Sequence, residues 1–330
     1  MENKIKSFAT IGLGRIGGNL ALQASEKGYE VVGVNRHEMP EFLQGSSIKH
    51  TNEIEDLAKL LPHPRLVFLY IPAGKAIDII LDQLIHEVLE EGDIIVDGGN
   101  SYWGDSVRRA KKVEERKMYY LDCGTSGGAT GARNGACFMV GGVEKSVGLV
   151  EPVLKDLAVP DGFVNAGPSG AGHYVKLVHN GIEFGMLQSI GEGMHLLENS
   201  HFSHNIEAVL KCWNNGSVIR SWLMQLMEEQ YKEQEGLSVP SYVEDTGEVN
   251  WLVEDAMHLE VPIPVIAQSV MQLFASRDKD KKWAKAIAMM RHGFGEHPFG
   301  KKETLKNHRK KGKVGGFINR ADIFQNKAEG

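Results

Sequence analysis

The sequence predicts an α/β fold, an N-terminal doubly wound, mostly parallel sheet followed by an all-α C-terminal domain. Three observations support this. Strand-like and helix-like runs alternate up to about residue 168, the spacing expected of stacked β-α-β units. A glycine-rich turn joins the first strand to the first helix. Helical patterns dominate after the break Gly167-Pro168-Ser-Gly-Ala-Gly172. The expected division is residues 1–168 for the sheet domain, 169–300 for the helical domain and 301–330 for a C-terminal tail.

Apolar runs with β character place strands at Phe8–Leu13, Glu30–Val34, Leu66–Tyr70, Ile94–Val96, Tyr119–Asp122, Cys137–Val140 and Phe163–Asn165. The first helix is read over Ala21–Lys27, with Gly28 ending it. The first helix of the second region should be long, from about Ala171 to Glu198. Gly181, Gly185, Gly191 and Gly193 lower its propensity. They point to close approach of a helix or a ligand.

Composition excludes several classes. The chain has 330 residues and a net charge of −6, long enough for two domains with a sizeable core. An acidic chain whose tail lacks an aromatic platform is a poor nucleic-acid binder. No apolar run reaches membrane-spanning length, so no membrane partner is expected. Met-Glu-Asn-Lys-Ile-Lys leads straight into a strand, and no signal peptide is expected. Cys123, Cys137 and Cys212 show no metal or disulfide spacing, and an odd count suits reduced thiols in the cytoplasm. Cys123 reads as a buried structural thiol. No His/Cys/Asp/Glu cluster has metal-ligand spacing, so no metal is expected. Residues 301–330 carry nine Lys or Arg against three Asp or Glu, which reads as a solvated tail.

The first strand runs into Gly12-Leu13-Gly14-Arg15-Ile16-Gly17-Gly18, then a helix, then Glu30–Val34. Strand, G-x-G-x-x-G, helix and strand in sequence form the dinucleotide fingerprint in its proper context, the Rossmann-type unit. Gly12 permits the tight turn. Gly14 lets a pyrophosphate approach the backbone, and Gly17 lets the helix pack on the sheet. The helix N-terminus favours the anion. At the end of the second strand, an NAD site usually has an acid for the ribose 2′-hydroxyl. This chain has Asn35-Arg36-His37. An acid would repel a 2′-phosphate whereas Arg can fork onto it, so NADP is favoured and NAD is possible. The competing reading makes Arg36 a surface turn residue, with Glu38 reaching the ribose.

A second feature lies at residues 173–184, His-Tyr-Val-Lys-Leu-Val-His-Asn-Gly-Ile-Glu-Phe. At 100° per residue, Lys176, His179, Asn180 and Glu183 fall within about 100° of arc on one helix face. Val175, Leu177, Val178 and Ile182 lie elsewhere and can pack. A core helix has no use for a buried Lys and Glu unless they are paired or functional. A wet face with an incidental His and Asn is the bland alternative.

Together these motifs resemble the decarboxylating 6-phosphogluconate dehydrogenases of the β-hydroxyacid dehydrogenase superfamily, over about residues 6–297 and nearest the short form. Lys176-Leu-Val-His179-Asn180-Gly-Ile-Glu183 is similar to the family's catalytic helix, and Val96-Asp-Gly-Gly-Asn100-Ser to its substrate-binding turn. Gly124-Thr-Ser126-Gly127-Gly128 resembles its S-G-G loop, and Arg291-His-Gly-Phe294-Gly295-Glu-His297 its R-x-x-F-G-x-H phosphate site. The resemblance implies oxidative decarboxylation of 6-phospho-D-gluconate to D-ribulose 5-phosphate and CO2, in the pentose phosphate pathway. It implies Lys176 as the base that later protonates the carbonyl oxygen, and Glu183 as the acid toward the enediol carbon. Lys176 must then be neutral when it acts, so its pKa must be lowered by burial. His179 and Asn180 would orient the substrate, Gly127 and Gly128 offer backbone donors, and Ser126 and Asn100 offer polar side chains. Arg291 and His297 would hold the phosphate, with Arg277 a weaker candidate because Lys279, Lys281 and Lys282 make it look solvated. The implied cofactor contacts are Gly12, Leu13, Gly14, Arg15, Ile16, Gly17, Asn35, Arg36, Ile71, Ala73 and Asn100. A homodimer or homotetramer is implied, because the terminal motif can come from the adjoining subunit. Phe317, Ile318, Ile323 and Phe324 could anchor a tail reaching across it.

Three departures from the family pattern bear on the phosphate and the cofactor. Phe184 stands where Tyr is common. Ile71-Pro72-Ala73-Gly74 replaces a Lys-containing loop, and Glu244, Asp245 and Glu248 lie near a region that is Lys-rich in the long form. Two competing functions remain. One is another β-hydroxyacid dehydrogenase, acting on hydroxyisobutyrate or tartronate semialdehyde, which needs neither a phosphate site nor Glu183. The other is a catalytically idle NADP-binding sensor, which needs no polar stripe.

Overall fold

The structure is a computed structural model that describes residues 5–296, 299–300, 313–314 and 318–319. It separates into two compact units. Among the described residues, the first comprises those through Glu183 together with Thr246–Ile263, and the second comprises Phe184–Asp245 and those from Pro264 onward.

The first unit is built on eight strands: β1 (Ser7–Ile11), β2 (Glu30–Val34), β3 (Lys49–Thr51), β4 (Leu66–Leu69), β5 (Ile94–Asp97), β6 (Tyr119–Ser126), β7 (Ala136–Gly141) and β8 (Ala158–Gly167). Their order is β3-β2-β1-β4-β5-β6-β7-β8. Every pairing is parallel except β6 with β7. The chain reverses direction across the sheet between β1 and β4, where a doubly wound sheet opens a crevice for ligands. The helices are α1 (Gly17–Glu26), α2 (Leu57–Leu60), α3 (Lys75–Gln83), α4 (Trp103–Glu114), α5 (Gly128–Asn134) and α6 (Glu144–Leu157). They are followed by α7 (Ala171–Glu198), within which the boundary between the units falls.

Strand periodicity explains the core. Phe8, Val31, Phe68, Ile94 and Val96 pack on one face of the sheet. Their neighbours Ala9, Val32, Val67, Leu69 and Ile95 pack on the other. A sheet covered on both faces needs continuous apolar runs rather than alternation, which is why β4 and β5 were legible. Each fully buried Leu, Ile or Val contributes about 1.5–3 kcal/mol.

Strand ends differ from the sequence reading for local reasons. β1 stops at Ile11, two residues before Leu13, because Gly12 takes φ +96° and turns the chain. β3 was not anticipated, since Lys49-His50-Thr51 is polar and gains its strand character only by pairing with β2. β8 begins at Ala158, well before Phe163, on the sheet edge and with register shifts against β7. The long helix α7 does span Ala171–Glu198. Its glycines do not all serve close contact: a Cβ on Gly185 would meet Val265 at an ordinary 3.5 Å, and at Gly191 or Gly193 it would meet nothing within 4 Å.

One later helix, α10 (Glu248–His258), belongs to the first unit. Trp103 Nε1 donates to Asp255 Oδ2 at 2.6 Å and Tyr102 Oη to Asp255 Oδ1 at 3.5 Å. The Tyr102 and Trp251 rings lie 5.5 Å apart.

The second unit contains α8 (Ile206–Asn214), α9 (Trp222–Glu233), α11 (Pro264–Arg277) and α12 (Lys282–Gly295). Asn205 and Ser221 cap α8 and α9 by accepting from Ala208 N and Met224 N. Met194, Ile206, Leu210 and Met224 form its small core. No residue of α12 is buried, and Trp283, Ile287, Met289 and Met290 are all exposed. Lys313–Val314 and Ile318–Asn319 pair as a short antiparallel ribbon. No helix among the described residues is long and apolar enough to cross a membrane.

Candidate active site

The turn after β1 is fixed by backbone sterics. A Cβ on Gly12 would lie 2.3 Å from the Tyr70 carbonyl oxygen, and one on Gly17 would lie 2.1 Å from the Gly12 oxygen. A Cβ on Gly14 would meet nothing within 4 Å. The turn is therefore packed on its sheet side and open above Gly14, where a pyrophosphate would lie. Gly17 opens α1, and its first turn carries no acid. Leu13 buries its side chain, while Arg15 is exposed and Ile16 partly so. Asn35 follows β2 and its Nδ2 contacts the Glu38 carbonyl at 3.5 Å. Arg36 is exposed, and no hydrogen bond or ion pair among the described residues holds its guanidinium. Ile71 is partly buried and Ala73 exposed in the loop after β4.

The polar face of α7 is placed by groups that sequence reasoning missed. Asp122, fully buried on β6, accepts from Gly170 N at 2.6 Å and from His173 N at 2.8 Å, anchoring the start of α7. A Cβ on Gly172 would lie 2.5 Å from the Asp122 and Met139 carbonyl oxygens, so the helix rests on the backbones of β6 and β7. A Cβ on Gly124 would lie 2.4 Å from Lys176 Cβ. The lysine thus emerges directly over the strand leading to the S-G-G loop.

The four side chains of the stripe meet. Lys176 Nζ donates to Asn180 Oδ1 at 2.6 Å and sits 3.2 Å from His179 Nδ1. His179 Nε2 pairs with Ser126 Oγ at 3.0 Å, and its Nδ1 lies 3.8 Å from Glu183 Oε2. Asn180 is buried and its Nδ2 donates to Asn100 Oδ1 at 3.4 Å. Gly127 and Gly128 both take positive φ, 113° and 61°, and a Cβ on Gly128 would meet nothing within 4 Å. Lys176, His179, Asn180, Glu183, Ser126 and Asn100 are therefore brought to one place from α7, the end of β6 and the turn after β5.

Burial dominates the electrostatics. It pushes the Lys176 amine below the usual lysine range, against the opposing pull of Glu183, Glu248 and Cys137. His179 is also lowered, first by burial and then by the Lys176 charge.

Behind Asn100 is a second unforeseen network. Asp97, fully buried, accepts from Gly99 N at 3.1 Å, Ser101 Oγ at 2.9 Å and Tyr120 Oη at 2.8 Å. Arg109, also fully buried, lies 3.5 Å from Asp97, donates to the Gly74 carbonyl at 3.0 Å and bonds Asp78 at 2.9 Å. The Tyr70 ring packs where a Cβ of Gly98 would be, 2.5 Å away. The only sequence signal for these groups was a charged or aromatic residue next to a motif.

Two of the phosphate candidates, Arg277 and Arg291, fall in the second unit. Arg277 is not a solvated neighbour of the lysines: its Nη1 bonds Asp245 Oδ2 at 2.6 Å and its guanidinium lies 5.5 Å from the Phe274 ring centroid. Arg291 is exposed on α12. His297, Phe317, Ile323 and Phe324 lie outside the described residues, and of Ile318 only the backbone is described. Among the described residues no group of three or more His, Cys, Asp or Glu is placed to hold a metal.

A doubly wound sheet with an open glycine turn, beside a helix face that groups Lys176, His179, Asn180 and Glu183, defines the class of nicotinamide-dinucleotide dehydrogenases. Comparison with known proteins narrows it. Residues 7–167 match the NAD binding domain of 6-phosphogluconate dehydrogenase, and residues 172–314 match the 6-phosphogluconate dehydrogenase C-terminal domain. A relative from Haloferax volcanii, an NAD(+)-dependent, decarboxylating 6-phosphogluconate dehydrogenase, is 40% identical over 90% of this chain and 99% of its own length. The solved 6-phosphogluconate dehydrogenase of Plasmodium falciparum, studied with NADP+ and with 6-phosphogluconate, superimposes with a TM-score of 0.75 at 26% identity, over 90% of this chain and 68% of that one. A 3-hydroxyisobutyrate dehydrogenase from Salmonella typhimurium shares the fold at a TM-score of 0.69 but only 16% identity, over 83% of this chain and 95% of that one. The chain belongs to the 6-phosphogluconate dehydrogenase family.

Proposed function

We propose that this protein oxidatively decarboxylates 6-phospho-D-gluconate to D-ribulose 5-phosphate and CO2, reducing NADP and accepting NAD. The observation that carries this is the Lys176 amine, with its pKa lowered by burial and bonded to Asn180, sharing one helix face with His179 and Glu183. The open space above Gly14 fits a pyrophosphate, and the exposed Arg36, without a partner among the described residues, fits a 2′-phosphate. Gly12, Leu13, Gly14, Arg15, Ile16 and Gly17 would hold the dinucleotide, with Asn35, Arg36, Ile71, Ala73 and Asn100. When bound it supplies the hydride acceptor.

The chain's own groups then move protons. Neutral Lys176 takes the proton of the C3 hydroxyl as the carbonyl forms. The carboxylate is now β to that carbonyl, and Lys176, protonated, returns its proton to the carbonyl oxygen as CO2 leaves. Glu183 protonates C1 of the enediol that remains, while the C2 hydroxyl gives its proton back to the now neutral Lys176 and becomes the ketone. His179 and Asn180 orient the substrate carboxylate and hydroxyls, with Ser126, Asn100 and the N–H groups of Gly127 and Gly128. Arg291 and His297 hold the phosphate, with Arg277 second to them because Asp245 already neutralises it.

The same reading assigns residues 1–168 to the dinucleotide, 169–300 to substrate and self-association, and 301–330 to a basic tail. A homodimer or homotetramer is supported by α12, whose exposed Trp283, Ile287, Met289 and Met290 form an apolar surface that water disfavours. Three free cysteines suit a cytoplasmic setting. Hydroxyisobutyrate or tartronate semialdehyde chemistry would leave Glu183 and Arg291 without work, and a sensor would leave Lys176 without any. The decisive assay offers 6-phosphogluconate with NADP or NAD and follows reduced cofactor and CO2 together. Equal amounts support the proposal, and cofactor reduction without CO2 overturns it.

A further inference from the structure

One buried acid has no part in this chemistry. Glu248 is the first residue of α10 and only 9% exposed. Its Oε1 lies 3.5 Å from Asn180 Nδ2, and its Oε2 accepts from Thr246 Oγ1. A carboxylate at this depth is costly unless it is hydrogen-bonded or acts on a neighbouring charge. The helix that carries it is held to the sheet unit by the Trp103–Asp255 bond at 2.6 Å and by ring packing of Tyr102 on Trp251. Glu248 is thus placed by a built contact and not by a loop.

Asn180 is the hub it touches. The amide NH2 faces two acceptors, Asn100 Oδ1 at 3.4 Å and Glu248 Oε1 at 3.5 Å. That fixes which end of the amide is oxygen, and the oxygen is the atom that accepts from Lys176 Nζ at 2.6 Å. An amide turned the other way would present NH2 to an amine that must at times carry a proton, and would set its oxygen against two acceptors.

We propose that Glu248 is a positioning residue for the reaction, its carboxylate orienting the Asn180 amide so that the amide oxygen holds the Lys176 amine. The inference rests on Lys176 being the base. The ionisable groups that face Lys176 are Glu183 and His179 on its own helix, Cys137 on β7 and Glu248 on α10. Burial disfavours the ammonium, whereas Glu183, Glu248 and Cys137 favour it. A group that acts first as base and then as acid works best with a pKa near the working pH. Glu248 offsets part of the burial effect, so the amine is not left too weak a base.

The test titrates Lys176 in the cofactor-free protein. The rate of its acylation by acetic anhydride is followed against pH by mass spectrometry of its peptide, in wild type and in Glu248→Gln. The variant keeps the shape and an acceptor for Asn180 but loses the charge, so the Lys176 midpoint should fall to lower pH. The acid limb of kcat/KM should move the same way. Glu248→Ala removes the acceptor as well, and kcat should drop about 10–100-fold, as for other orienting partners, with a smaller change in KM for 6-phosphogluconate. An unmoved Lys176 midpoint in Glu248→Gln overturns the proposal. So does a Glu248→Ala protein that melts earlier but keeps the wild-type kcat. If wild type releases no CO2 yet Glu248→Gln displaces the midpoint, the proposed reaction fails and the Glu248 contact stands.

Discussion

The turn at Gly12–Gly17 and the polar face of α7 both belong to the first unit, and they are built from opposite materials. The turn is backbone: a Cβ at Gly12 or Gly17 would sit within 2.3 Å of main-chain oxygen, while Gly14 faces open space. It carries no acid in the first helical turn, and it works by shape. The α7 face is side chain. Lys176, His179, Asn180 and Glu183 come from one helix, but Asn100, Ser126 and Glu248 reach them from three other elements. There burial lowers the amine while neighbouring acids raise it. Binding a dinucleotide needs a surface that is already correct. Moving protons needs groups held away from their preferred ionisation.

The largest effect should come from the second region. Lys176→Met removes the base and should cut cofactor reduction and CO2 release together by about 10⁴, the upper range for general base catalysis. Folding should survive and even gain. Because burial lowers the folded-state value below the ordinary 10.5, the folded chain resists a proton that the unfolded chain accepts. Wild-type stability therefore rises with pH through the window between the lowered value and about 10.5, and below that window the full cost remains. The Met variant should unfold at higher denaturant concentration than wild type at neutral pH, and the gap should close as pH approaches the ordinary lysine value. A Met variant that is less stable at pH 7 would place Lys176 among stabilising charges and break the contrast with the turn.

Glu183→Gln should act next, slowing turnover by roughly 10²–10⁴. In deuterated solvent, wild type should label C1 of ribulose 5-phosphate on one side only, and the variant should lose that selectivity because water would protonate the enediol. Full rate with one-sided labelling would move the role to His179.

These two regions also differ in how far the sequence revealed them. The turn is a contiguous motif between a strand and a helix, so its spacing and its immediate flanks located it. The helix face was legible as a stripe because 3.6 residues per turn fixes what shares a side. Its supports were not. Asp122, Asp97, Arg109 and Glu248 act across the fold, through hydrogen bonds and an ion pair between segments far apart in the chain, and Gly124 acts by its close approach to Lys176. Nothing local marks a buried Asp as a helix anchor. β3 escaped for a related reason, since its three polar residues become a strand only beside β2. The apolar strands β4 and β5 needed no partner to be recognised, because burial on both faces leaves its mark in the residues themselves.

At the edge of the turn, Arg36→Ala tests whether shape alone selects the cofactor. A charge-assisted phosphate contact is worth about 1.5–3 kcal/mol. KM for NADP should therefore rise roughly 10–100-fold while KM for NAD barely moves. Equal rises for both would return Arg36 to an ordinary surface residue and leave the ribose to Glu38.

The smallest change should be in the stability of Gly14→Ala. Its added methyl would meet nothing within 4 Å of the protein, and its backbone does not need positive φ, unlike Gly12 at +96°. Such exposed substitutions usually stay within about 0.5 kcal/mol, so the urea midpoint should be that of wild type. The methyl does occupy the space proposed for the pyrophosphate. KM should then rise for NADP and NAD by the same factor, because both carry the same pyrophosphate, and by less than Arg36→Ala imposes on NADP. Calorimetric binding of each cofactor to the variant separates the two contributions. If affinity is unchanged while the protein stays as stable as wild type, the dinucleotide does not lie over Gly14, and the turn is shaped for packing against Tyr70 alone.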